Sequence, residues 1–210
     1  MGHKFDIFDL FTISPSEVEE LFFRELNKKN PDYDNIEIFL QSGFVDANTK
    51  GKYGEPILYW CVEWNNLKLL KYFLERGSNI NEADKTGCTP LIWAARYNHP
   101  EIAKYLLENG ADPNLLDSDR MSALHWICFR DNHIEMIRLL LENGADPNIK
   151  DRWGETPMHN SSKSNSLQNI ELLLQYGGEL DIRNNKGDLP IDVAVNPNIR
   201  EYLSEHGGGM

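Results

Sequence analysis

The chain has 210 residues, with 33 Asp+Glu against 21 Lys+Arg, a formal net charge of −12, 40% hydrophobic and 10% aromatic residues. That acidic surplus repels phosphate backbones and anionic lipid headgroups, which argues against nucleic-acid and membrane binding, while the apolar share suffices for a buried core. Three cysteines, Cys61, Cys88 and Cys128, are odd in number and far apart, so neither a disulfide framework nor a zinc module is indicated.

From the N-terminus, FDIFDLF interrupts its apolar residues with Asp6 and Asp9, unlike a secretory signal. No apolar run approaches the roughly 18 residues needed to span a bilayer. A soluble protein of the cytoplasm or nucleus is expected, or one delivered into a host cytosol by an intracellular microbe. Ser14-Pro15-Ser16-Glu17 reads as a capping box, followed by Val18, Leu21, Phe22 and Leu26 at helical spacing. A second helix is expected from Pro31 to Ser42, before Gly43. FDIFDLF is expected to cover the exposed side of the first of these helices, with a docking peptide as the alternative.

LLENGADPN then occurs at 106–114 and again at 140–148. The glycine of this segment belongs to a series, Gly43, Gly77, Gly110, Gly144 and Gly177, spaced 34, 33, 34 and 33, and Pro56, Pro90, Ala123, Pro157 and Pro190 repeat with it. A fixed period of this size implies stacked supersecondary units. In the unit 83–116, Thr89 caps a helix whose first position is Pro90. A second helix starts near His99-Pro100-Glu101 and carries Ile102, Leu106 and Leu107 as an apolar stripe. Gly110 closes it, and Asp112, Pro113 and Asn114 form an exit turn. Ala94-Ala95 lets the first helix lie close to its neighbour. Toward the C-terminus, LPIDVAVN and PNIREYLSEHGG read as two short final helices.

The stretch GCTPLIWAARYNHPEIAKYLLENGADPN resembles the ankyrin repeat, with its T-P-L-H-x-A-A start and L-L-x-x-G-A-D-x-N end. The resemblance implies an all-α ankyrin-repeat solenoid of helix-loop-helix units with projecting turns or β-hairpin fingers. Repeats are expected at 49–82, 83–116, 117–150 and 151–183, with capping repeats at 1–48 and 184–210, as one domain. The units at 49 and 117 are read as carrying an extra residue between their helices. Trp60 is read in a slot that is usually Ala, predicting a wide joint behind the N-terminal cap. Asn160, Ser161, Ser162 and Asn169 put polar groups into packed slots, so residues 155–210 are expected to be the softest part of the stack.

Catalytic signatures are missing: there is no glycine-rich phosphate loop and no G-x-S-x-G. His125 and His159 fall on the histidine of the T-P-L-H slot, where the resemblance implies a structural hydrogen bond to the turn. His125, Cys128 and His133 form the strongest metal suspicion, yet supply three ligands and no closed tetrahedral pattern. Neither enzyme activity nor a cofactor is expected. Asn114 and Asn148, each with a Leu eight residues before and an Asp two before, resemble the context that asparaginyl hydroxylases accept in ankyrin repeats.

What the resemblance implies instead is binding of a protein partner by the concave face. Its turn-tip slots fall on Lys52 and Tyr53; on Lys85, Thr86 and Cys88; on Ser118, Asp119 and Met121; and on Arg152, Trp153 and Glu155. Far-end slots of the first helices hold Val62 and Glu63, Arg96 and Tyr97, Phe129 and Arg130, and Lys163 and Ser164. Most of these are expected to face solvent, with Trp153 as the leading anchor. Tyr59, Trp93 and Trp126 are read as one slot in three successive units, forming a ladder. Acidic residues gather in the caps and second helices while Lys52, Lys85, Arg96, Arg130, Arg152 and Lys163 sit in concave slots, which suits an acidic or extended partner segment. A monomer is expected, acting as adaptor, inhibitor or assembly factor, or as the microbial effector mentioned above.

Overall fold

Short helices joined by tight turns account for the whole architecture. The structure is a computed structural model that describes residues 6–28, 31–130 and 133–207. The chain divides into two compact units between Asn79 and Ile80.

In the first unit, α1 (Ile7–Leu10) buries Leu10 and packs against α3 (Tyr33–Gln41), the second cap helix. Phe11 meets Phe44 with ring centroids 5.4 Å apart, whereas Phe8 is exposed; Phe5 lies outside the described residues. α2 (Pro15–Leu26) starts at the expected capping box, with Glu17 Oε2 accepting Ser14 N–H at 2.9 Å. Its Val18, Phe22 and Leu26 are fully buried. α3 is shorter than its sequence suggests because Asp32 caps it, accepting Asp34 N–H at 3.0 Å. α4 (Ile57–Glu63) and α5 (Leu67–Leu74) complete the unit, and Phe73 of α5 sits edge-on to Phe22.

The second unit holds inner helices α6 (Pro90–Tyr97), α8 (Ala123–Cys128), α10 (Pro157–Lys163) and α12 (Pro190–Val193). Outer helices are α7 (Pro100–Glu108), α9 (Ile134–Glu142), α11 (Leu167–Gln175) and the terminal α13 (Pro197–His206). α6, α8, α10 and α12 pack in succession, as do α7, α9 and α11. Ala94 and Ala95 are fully buried where α6 meets its neighbour, as small side chains allow. Ile102, Leu106, Ile137 and Leu140, fully buried, each stabilise the stack by roughly 1.5–3 kcal/mol.

A finger precedes each inner helix. Asp84, Asp117 and Asp151 start three of them, and each carboxylate accepts the N–H groups two and four residues on, as Asp117 does from Asp119 and Met121 at 2.9 Å. Successive fingers are tied together: Ser118 N–H donates to Thr86 O, Arg152 N–H to Asp119 O, and Asn185 N–H to Trp153 O, all at 2.9 Å. Gly87 has φ +80°, and a Cβ there would lie 2.8 Å from Ser118 N, so both conformation and space require glycine. Among the described residues these fingers contain no strand; an isolated Lys50–Pro56 bridge is their one piece of ladder pairing.

The finger hydrogen bonds also correct the register of the first unit. Gly51 N–H bonds to Glu55 O just as Asp84 N–H bonds to Cys88 O, so Gly51 matches Asp84 and Pro56 occupies the capping slot of Thr89. Trp60, not Tyr59, therefore shares the slot of Trp93 and Trp126, and Cys61 and Val62 hold the small-pair slots. The first unit's extra residue lies ahead of its finger, between Gly43 and Gly51, rather than between α4 and α5. The two prolines are not equivalent, since Pro56 is a cap and Pro90 a first helical residue, which is why their spacing differs by one from that of the fingers. In the 117–150 repeat the expected insertion falls next to Asp131 and Asn132, which lie outside the described residues.

Candidate interaction face

The inner helices and fingers of the second unit share one side, and its composition differs from that of the outer helices. Tyr97, Phe129 and Trp153 are the exposed large aromatics on this side. Trp93 and Tyr97 stack with centroids 5.3 Å apart at 21°, and the Arg96 guanidinium lies 4.2 Å from the Trp93 ring centroid and 4.1 Å from that of Trp126. The expected ladder is thus a Trp93–Arg96–Trp126 sandwich, with the cation between the rings. Each indole N–H is anchored, Trp93 Nε1 donating to Asp84 Oδ2 and Trp126 Nε1 to Asp117 Oδ2, both at 2.8 Å. An Asp with a Trp nine residues on, written twice at 84/93 and 117/126, was the sequence signal for this bond.

Several expected contact positions are not exposed. Met121, Cys88 and Glu155 are buried, as is Val62 of the first unit. The reason is geometric: the fourth residue after each finger aspartate turns back over the helix start, so that slot belongs to the core. Glu155 pairs there with Lys163 and accepts from Asn184 Nδ2 at 3.4 Å. Arg152, exposed, bonds Asp119 at 2.5 Å and lies 5.2 Å from the ring of Trp153. Lys85 and Arg130 are exposed, and Tyr53, exposed on the first unit's finger, has Lys52 Nζ 5.8 Å from its ring centroid. Phe129 and Trp153 converge with Glu155, Lys163, Asn184, Asn185 and Lys186 on an open cleft of about 420 Å³.

In the first unit, Trp60 lies 6.4 Å from Phe23 and 5.5 Å from Trp64, ring to ring. Its Nε1 is buried and makes no hydrogen bond among the described residues. Gly51 occupies the slot that supplies the carboxylate in the later repeats, which explains the orphan. A cleft of about 660 Å³ opens between α2 and this finger, lined by Phe23, Tyr53 and Trp60.

His125 and His159 are built into the frame. His125 Nδ1 accepts Ser122 N–H at 3.1 Å and pairs with Ser122 Oγ at 2.9 Å, so Nε2–H donates to Glu155 O of the next finger at 3.2 Å. His159 repeats the arrangement with Thr156 and Asp188 O, the latter at 3.1 Å. Burial first, against the smaller opposing pull of these backbone bonds, holds both imidazoles below their ordinary pKa of 6.5. Unfolded histidines take up protons near 6.5 that the folded ones refuse, so stability should fall as pH drops below that value. The slope reaches at most about 1.4 kcal/mol per pH unit for each histidine. A thermal midpoint at pH 5.5 equal to or above that at pH 7.5 would contradict this.

The suspected metal cluster does not assemble. Both His125 nitrogens are engaged, and burial pushes the Cys128 thiol up to about 12, leaving it protonated. Among the described residues no group of three His, Cys, Asp or Glu side chains is placed to hold a metal ion. His133 instead precedes the first turn of α9. Cys61 and Cys88 are likewise raised by burial.

Asn114 and Asn148 hold neighbouring repeats together. Asn114 Nδ2 donates to Gly144 O at 2.9 Å while its Oδ1 accepts Asp146 N–H at 2.8 Å. Asn148 does the same with Gly177 O and Glu179 N–H, both at 2.9 Å. A hydroxylase needing either residue in an extended strand would have to break two such bonds.

Among the described residues no helix is long and apolar enough to cross a membrane. No curated protein matches the chain. A family model described as ankyrin repeats (3 copies) matches residues 26–117, 58–151 and 124–209. Ankyrin repeats are protein–protein interaction modules. With paired helices, linked fingers and a histidine-bridged frame behind that match, the chain belongs to the ankyrin-repeat family.

Proposed function

We propose that this chain is a non-enzymatic protein-binding module, an adaptor, inhibitor or assembly factor, acting as a monomer in the cytoplasm or nucleus. It grips an extended, partly acidic segment of its partner on the inner-helix and finger face. One observation carries the reading: exposed Tyr97, Phe129 and Trp153 share a face with Lys85, Arg96, Arg130 and Lys186, in a chain of net charge −12. Aromatic rings there lose much hydrated area on contact, and the cations steer an anionic segment while the acidic remainder repels nucleic acid. The repeat boundaries at 49, 83, 117, 151 and 184 belong to the same reading, as do contacts from Tyr53, Arg152, Trp93 and Trp126.

Affinity capture tests it, with wild type beside a folded Tyr97→Ala, Arg130→Ala, Trp153→Ala triple variant and an outer-helix control, Lys104→Ala, Glu108→Ala, Arg138→Ala. The partner should bind the first variant at least tenfold more weakly, since two or three interface anchors are removed. It should bind the control within about twofold. Equal retention by both variants would rule out this face.

A further inference from the structure

Arg96 of α6 reaches forward onto the ring of Trp126 on α8, the inner helix of the next repeat, with its guanidinium 4.1 Å from the ring centroid. Trp60 holds the corresponding slot in the first unit, yet among the described residues no cation lies over its ring. α2 stands before α4 in the chain as α6 stands before α8, and its Phe23, Glu19 and Glu20 share a cleft with Trp60. Ahead of Trp126 the second unit places a guanidinium; ahead of Trp60 the first unit has an open cleft of about 660 Å³.

The walls of this cleft suit a cation. Phe23, Tyr53 and Trp60 supply rings, Tyr53 being 67% exposed and the other two half-buried. Glu19 and Glu20 are exposed on the α2 wall, and among the described residues neither carboxylate is held in an ion pair or hydrogen bond. On the finger wall Glu55 accepts Tyr53 N–H at 3.0 Å, and Lys50 and Lys52 stand nearby, the latter with Nζ 5.8 Å from the Tyr53 ring centroid. Three carboxylates against two ammonium groups leave one negative charge, which a single monovalent cation neutralises.

We propose that this cleft receives an arginine side chain of the partner protein, its guanidinium lying against the Trp60 and Tyr53 rings and donating to Glu19 and Glu20. The site goes beyond the second-unit face and rests only on the reading of the chain as a protein-binding module. Glu19 and Glu20 repel a carboxylate or phosphate, and an apolar side chain would cover their hydrated oxygens without offering a donor. A quaternary ammonium suits the rings but carries no N–H. A lysine ammonium brings donors but is compact and strongly hydrated, whereas a guanidinium is planar, more weakly hydrated and stacks on aromatic faces. Arg96, lying between the Trp93 and Trp126 rings, is this chain's own instance of that match.

Nuclear magnetic resonance of the full chain tests this, titrating N-acetyl-argininamide, its neutral citrulline counterpart, N-acetyl-lysinamide and choline in parallel at low ionic strength. The arginine amide should shift the Trp60 indole and Tyr53 signals saturably, while the Trp93 and Trp126 indoles, already flanked by Arg96, stay in place. The citrulline amide should bind about fivefold more weakly, the scale of one lost cation–ring contact. Glu19→Gln with Glu20→Gln, at exposed positions, should leave the fold intact and weaken arginine binding about two- to fivefold. Equal binding of the citrulline amide, tighter binding of the lysine amide or choline, or undiminished binding to the double glutamine variant overturns the proposal. An arginine amide that does not bind overturns it too; if the partner is still lost from the triple variant, the protein-binding reading stands without this site. A partner retained by the triple variant while the arginine amide binds here removes the second-unit face and leaves this cleft.

Discussion

Replacing His125 with leucine should destabilise the second unit by about 2–4 kcal/mol, the cost of leaving two or three buried polar groups without partners. The imidazole serves Ser122 with one nitrogen and Glu155 O with the other, so its loss strips both its own helix start and the next finger. Leucine keeps the volume but bonds to neither, and water has no route in, because Ser122, His125 and Thr156 are all buried. In a stack whose stability is a sum of repeat and neighbour terms, weakening one joint also divides the cooperative unit. Denaturant unfolding should therefore show the 151–207 segment melting ahead of 83–130 in the variant. A loss below 1 kcal/mol with a single transition would mean that these bonds contribute little. His159→Leu should act in the same direction on Asp188 O, with the uncoupled piece limited to the terminal helices.

How much of this was legible in the sequence follows from the kind of information each feature needs. Capping at Ser14 and Thr89 and the closing Gly110 are local chemistry, and they stand where the residues put them. The period is legible because every layer repeats the same joint. Register within the first unit was not, since proline fits both a cap and a first helical turn; the discriminating fact is the Gly51–Glu55 backbone bond, a tertiary detail. Exposure failed at Met121, Cys88 and Glu155 for a related reason: a turn-tip sequence does not reveal which of its side chains folds back over the next helix. Arg120 shows the opposite lesson. It holds φ +59° in a slot where Gly87 and Gly154 are glycine, so the finger's bonds, not residue preference, fix its conformation. The convergence of Phe129 with Trp153, from neighbouring repeats, required the stack itself.

The fourth repeat is the expected weak point, and repairing it should raise stability by about 1–3 kcal/mol. Ser161 sits in the slot of Ala94, fully buried, and among the described residues its hydroxyl has only the Cys128 thiol beside it, a weak partner. Asn169 sits in the slot of Ile102 and Met136, also fully buried; its amide donates to Arg130 O at 3.0 Å while its carbonyl oxygen has no hydrogen bond among the described residues. Each orphan loses its water on folding and gains little in return. Ser161→Ala removes one without leaving a cavity of consequence, since only a hydroxyl is lost. Asn169→Leu removes the other and adds apolar burial, at the cost of one bond to a carbonyl in a partly open site. For a protein of this size the double variant should melt several degrees higher, on the usual scaling of about 2–4 °C per kcal/mol. Hydrogen exchange locates the effect: in the wild type, amides of α10 and α11 should exchange faster than those of α6 to α9, and the double variant should narrow that gap. Equal protection across the wild-type stack, or a lower melting temperature in the variant, would show that these buried polar groups are satisfied in solution.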